Sequence, residues 1–137
     1  MTRPVPLLYW IALVLLVLET GYGLWNVAID LIIRAFPASH QYMDPALVDF
    51  IQSVSWLQEL VFFLGIAAAC AAVWLYLDRS IWVLAVYGAN VFLTKADWLI
   101  SGFSGVEIFA MSGYVSLMYQ TVLMGLLIWL SYRETLE

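Results

Sequence analysis

Residues Ile81 to Ile100 read IWVLAVYGANVFLTKADWLI, a run apolar enough to cross a membrane yet interrupted by Lys95 and Asp97, two residues apart. Ionisable groups in hydrocarbon are costly and normally face a protein interior, so they mark where a membrane chain holds a partner charge, a proton or a ligand. Glu19 and Glu59 interrupt two further apolar stretches in the same way. The meaning of these four residues depends first on whether the chain enters a membrane.

Composition decides that point. Of 137 residues, 65% are hydrophobic and only 11% charged, with a mean hydropathy of +0.95, which is too apolar for a soluble domain of this size. Four apolar stretches, 6–27, 56–77, 81–100 and 110–130, each approach the ~20 residues a helix needs to cross the hydrocarbon layer. The expectation is an all-α fold: a single integral membrane domain over 1–137, built as a four-helix antiparallel bundle. The first stretch follows Arg3 but is too long for the core of a secretion signal and lacks a small-x-small cleavage pattern, so it reads as retained.

Tryptophan refines the spans, because its amphipathic ring prefers the membrane interface. Trp10 and Trp25 bracket the first, Trp56 and Trp74 the second, Trp82 and Trp98 the third, and Trp129 lies near the end of the fourth. Arg3, Arg79 and Arg133 fall at the amino terminus, the second connection and the carboxyl terminus, whereas the opposite connections carry Arg34 and several acids. The positive-inside rule therefore places both termini in the cytoplasm. Asp44 and Pro45 read as an N-cap and first helical position, so the second helix is expected to begin in the outer connection 34–55, partly along the interface. The turns at 78–80 and 102–105 are short, which makes successive helices neighbours. The net charge of −5 contains no Lys/Arg cluster, which argues against a nucleic-acid partner and leaves the lipid bilayer as the certain environment.

Helical spacing gathers the polar residues into faces. Glu19, Tyr22, Asn26 and Asp30 share one side of the first helix; Gln52, Ser55 and Glu59 share one side of the second. Tyr87, Asn90, Thr94, Asp97 and Ser101 align in the third, with Lys95 about 100° away, and Glu107, Met111, Tyr114, Met118 and Thr121 form a milder stripe in the fourth. Relative to the outer tryptophans, Lys95 and Glu59 lie about 4.5 Å inward and Glu19 about 9 Å inward, with Asp97 at the belt itself. Lys95 is therefore expected to reach Glu59 or extend toward Glu19. The residues proposed to bind a ligand or proton are Glu19, Glu59, Lys95, Asp97, Asn26, Asn90 and Tyr114. Each has a plainer reading: Lys95 snorkelling to the interface, Asp97 and Glu59 as wetted helix ends, Glu19 in a structural hydrogen bond, Tyr114 in packing.

Other features assign little chemistry. His40, alone in a loop, reads as solvated and gives no metal site, and Cys70 reads as a small packing residue. Gly65, Ala68, Ala69 and Ala72 permit close helix approach, within the chain or in a homo-oligomer. No nucleophile elbow, phosphate loop, HExxH or paired-cysteine motif occurs, so no catalytic residues are assigned, and no cofactor is specified.

The first-helix acid in Leu18-Glu19-Thr20-Gly21 resembles that of the small multidrug transporters, but the likeness extends only to that residue and the span count. A broader resemblance rests on Leu8-Tyr9-Trp10-Ile11-Ala12, on Met43-Asp44-Pro45 leading to Trp56, and on Arg79 followed by Trp82. These look like short four-span inner-membrane proteins of proteobacteria. That resemblance implies a bacterial inner membrane and carries no site residues across. The functional expectation is a non-enzymatic accessory or interaction subunit of a membrane complex. The alternatives are a small-solute or proton-coupled transporter or ligand-binding membrane protein, and below that a pigment-, quinone- or lipid-associated protein.

Overall fold

The computed structural model describes residues 5–103 and 110–137. Arg3, Glu107 and part of the turn expected at 102–105 lie outside the described residues. The fold is all-α, with helices α1 (Leu7–Ala35), α2 (Pro45–Ser53), α3 (Trp56–Leu77), α4 (Val83–Phe103) and α5 (Ala110–Tyr132), and a 3-10 helix, Pro37–Tyr42, between α1 and α2. Among the described residues, Leu7–Ala35, Trp56–Leu77, Val83–Ser101 and Met111–Tyr132 are long and apolar enough to cross a membrane.

Local chemistry sets the breaks. α1 stops at the residue before Pro37, whose ring disfavours helical backbone in Phe36, found at φ −129° and ψ 81°. His40 then brings Nε2 to 2.8 Å from the Ile33 carbonyl, so this histidine is tied to the helix end rather than simply solvated. Asp44 caps α2 by accepting a hydrogen bond from the Ala46 amide at 2.9 Å, with Pro45 at the first helical position. Val54 is extended, and Ser55 starts a new helix by accepting from the Gln58 amide at 3.3 Å. Residues 45–53 are thus a helix separate from the long α3.

α3 packs most extensively on α4, and the small-residue stripe explains why. A Cβ on Gly65 would sit 3.4 Å from Thr94 Cγ2, and Ala69 and Ala72 are buried. The stripe is used inside this chain. Gly23 of α1 lies so close to Ile66 of α3 that a Cβ would meet Ile66 Cδ1 at 2.5 Å.

One apolar core gathers Tyr9, Ala12 and Leu16 of α1, Ala72 and Tyr76 of α3, Val83 and Tyr87 of α4, and Leu123, Leu127 and Leu130 of α5. At its centre Tyr9 and Tyr76 stack with centroids 4.6 Å apart. Each hydroxyl donates to the other residue's carbonyl, Tyr9 to Tyr76 at 3.1 Å and Tyr76 to Tyr9 at 2.8 Å. The chain's last residues close this end: Glu137 exchanges backbone hydrogen bonds with Arg79 and Ile81 at 2.7 and 2.8 Å, and Leu136 joins the core. Outside the core the helices show large apolar side chains, among them Trp10, Trp25, Trp56, Trp74, Trp82 and Trp129, whereas Trp98 is half-buried.

Replacing Tyr76 by Phe removes one clasp bond and leaves the Tyr9 carbonyl without that donor, at a cost of about 1 to 2 kcal/mol. The expected result is a lower thermal midpoint for Tyr76→Phe than for wild type in the same detergent. Tyr132→Phe, on an exposed side chain, should leave the midpoint unchanged.

Candidate functional site: a polar cavity among the helices

Away from this core the helices part around a partly open cavity of about 330 Å³. Each of the five α-helices contributes to its wall. Its polar lining forms three groups at increasing distance from α2.

The outermost group joins three helices. Arg34 Nε lies 3.1 Å from Asp30 on its own helix and 3.1 Å from Glu59 on α3, and Nη2 donates to the Ile51 carbonyl of α2 at 2.9 Å. The guanidinium suits this task because its fork reaches several acceptors at once. With the apolar cluster of Ile33, Val48 and Ile51, it seats α2 over the cavity, which Leu47, Phe50, Ile51 and Val54 help to line. Nearby, Gln58 of α3 donates to Ser101 of α4 at 2.7 Å, and Ser101 donates to the Asp97 carbonyl at 3.0 Å.

Lys95 forms the second group. Its ammonium donates to Ser116 Oγ at 2.9 Å and to the Gly113 carbonyl at 3.4 Å, both on α5, and lies 5.9 Å from the Trp98 ring centre. The expected pairing of Lys95 with Glu59 does not occur, because Arg34 holds Glu59. Geometry accounts for this: Thr94 faces α3, and the next residue is turned about 100° from it, toward α5. Among the described residues no carboxylate stands at ion-pair distance from Lys95. Gly113 matters here, since any Cβ would overlap the Trp98 indole.

Glu19 anchors the deepest group. Tyr87 donates to Oε2 at 2.7 Å and Gln120 donates to Oε1 at 2.6 Å, while the Gln120 amide also lies 3.2 Å from Thr94 Oγ1. Tyr119 donates to the Leu15 carbonyl beside them at 2.6 Å. Among the described residues two buried atoms nearby have no hydrogen-bond partner: Asn90 Nδ2, on a residue 1% exposed, and Gln120 Oε1, on a residue 3% exposed. Both residues line the cavity. One is a donor and the other an acceptor, next to a carboxylate.

The structure thus brings Glu19, Asn26, Glu59, Asn90, Lys95 and Asp97 to one cavity. Tyr114 is not among them: it is 60% exposed on the outer side of α5, edge-on to Trp98 at 5.0 Å. Met111 and Met118 are exposed there too, and the α5 face that lines the cavity is Ser112, Gly113, Ser116 and Gln120. Ser112, Ser116 and Gln120 recur at four-residue steps, a signal readable in the sequence. Arg34 was visible as well, one turn beyond Asp30. Among the described residues no cluster of His, Cys, Asp and Glu could hold a metal ion.

Comparison with protein-family models, with curated proteins and with solved structures finds no match to this chain.

Two substitutions test this arrangement. Arg34→Ala leaves Asp30 and Glu59 facing each other and frees the end of α2, so about 1 to 3 kcal/mol of stability should be lost. Hydrogen exchange should quicken across 45–53 more than in α4. Gly113→Ala should lower the thermal midpoint and shift tryptophan fluorescence, at an overpacking cost of about 1 to 3 kcal/mol.

Proposed function

We propose that this protein is a solute-binding membrane protein of the bacterial inner membrane, an antiparallel four-helix bundle with both termini in the cytoplasm, taking a small amine-bearing solute into its cavity from the outer side. The membrane assignment is supported by the four long apolar helices, and the orientation by the positions of Arg3, Arg79 and Arg133. The observation that carries the binding reading is the pair of buried atoms Asn90 Nδ2 and Gln120 Oε1, which have no hydrogen-bond partner among the described residues and belong to residues lining the cavity. Buried polar groups without partners are costly, and a solute that supplies partners offsets that cost. An amine suits the place because Glu19 and Gln120 Oε1 are acceptors. Around the cavity the carboxylates Glu19, Asp30, Glu59 and Asp97 also outnumber the cations Lys95 and Arg34.

The accessory-subunit reading draws on the exposed face of α5, with Met111, Val115, Met118 and Val122. Lipid tails cover such a face equally well, but they leave Asn90 and Gln120 unsatisfied. The cavity therefore weighs more than the outer surface. Cavity volumes of about 300 to 1,000 Å³ are typical of small-molecule sites, and this one falls at the lower end of that range.

Native mass spectrometry of the full chain released from nanodiscs tests the reading. A bound small molecule distinct from lipid is expected on wild type, with at least a tenfold drop in its occupancy for a folded Glu19→Gln variant. Lipid adducts alone on both proteins would count against a solute site.

A further inference from the structure

The cavity holds two opposite charges that do not meet. Glu19 is held by the neutral groups Tyr87 and Gln120, and Lys95 by the neutral groups Ser116 and Gly113. No hydrogen bond or ion pair joins them, although both line the same space. A carboxylate and an ammonium in a membrane interior would ordinarily reduce their cost by pairing directly. Here each is instead kept apart by its own neutral support, and Asn90 Nδ2 and Gln120 Oε1, buried atoms of two residues that line the same cavity, have no hydrogen-bond partner among the described residues.

We infer that the cavity is built for a small zwitterion, whose protonated amine sits at Glu19 and Gln120 Oε1 and whose carboxylate is taken by Lys95 with Asn90 Nδ2. This rests on the solute-binding reading and adds the anionic end of the ligand to it. The donor count fits. Lys95 has three N–H donors and spends two on Ser116 and Gly113, so one remains for a carboxylate. Asn90 Nδ2 offers a second donor and, being almost wholly buried, gains most from an acceptor. At the other end a primary ammonium has donors for the Glu19 carboxylate and for Gln120 Oε1 together. A quaternary ammonium would leave Gln120 Oε1 unmatched, which favours an amine with N–H groups. The ligand's own charges cancel, so its entry adds no net charge to the membrane interior. Phe62, Ile66 and Trp98 give the remaining wall an apolar and aromatic surface for a side chain.

The matched probes are L-phenylalanine, phenethylamine and 3-phenylpropionate, with glycine and L-leucine as further zwitterions, each titrated calorimetrically into the full chain in nanodiscs. At least one zwitterion is expected to bind tenfold or more tightly than either single-charge probe. Lys95→Met should remove that advantage while sparing phenethylamine, and Lys95→Arg should restore part of it. Asn90→Leu should weaken the zwitterion severalfold and leave phenethylamine within twofold. Phenethylamine binding as tightly as L-phenylalanine, with Lys95→Met silent, would overturn the zwitterion and leave an amine site standing. Failure of all three zwitterions to bind would overturn it too, and the mass-spectrometric search for a native adduct would then decide separately whether any solute site exists.

Discussion

Glu19 stands in the middle of the longest helix, on the wall of the cavity and away from the helix ends, where a carboxylate depends on donors from the protein. The other helices must therefore bring it donors, and Tyr87 of α4 and Gln120 of α5 do so at 2.7 and 2.6 Å. That requirement fixes the relative height of α1, α4 and α5. Once it is met, Thr94 follows through the Gln120 amide, and the close fit of Thr94 to Gly65 sets α3 against α4. One half-buried carboxylate thus links α1, α4 and α5, with α3 following through Thr94, in a setting where apolar burial alone gives little positional preference because lipid tails are as apolar as the core.

The same constraint explains why polar side chains gather around the cavity and not at the opposite end. Between Tyr9 and Leu136 the core is filled by leucines, alanines and the stacked tyrosines, whose hydroxyls are used on backbone carbonyls. Around Glu19 and outward, polar side chains need partners and cannot close over one another without leaving gaps. Asn90 and Gln120 show the limit of that packing, since each retains a buried atom without a hydrogen-bond partner among the described residues.

Much of this was legible in the sequence. The four spans follow from hydropathy; three- and four-residue spacing groups Glu19 with Asn26 and Asn90 with Asp97, and Lys95 stands out as a charge interrupting an apolar run, and all five line the cavity. α5 misled because Met111, Tyr114 and Met118 look like a functional stripe, whereas serines and a glutamine, small or neutral, carry the inward face. The partner of Glu59 could not be read either. Arg34 and Lys95 were both within plausible reach, and only the turn of α4 relative to α5 assigns them. The break at Val54 depends on Ser55 capping a fresh helix, a choice that spacing alone does not reveal because apolar residues continue through it.

The clasp between Tyr9 and Tyr76, backed by the backbone pairing of Glu137 with Arg79 and Ile81, has a bearing on how matter could move through this molecule. Passage to the far side would require separating the stacked rings, breaking both hydroxyl bonds and peeling the chain's last residues from their seat. The α2 end is covered by one short helix, held by the Arg34 hydrogen bond to Ile51 and the small cluster of Ile33, Val48 and Ile51. The molecule is thus closed more firmly at the Tyr9–Tyr76 end than at the α2 end. For the solute-binding role proposed above, that asymmetry suits retention, sensing or hand-over to a neighbour better than conduction.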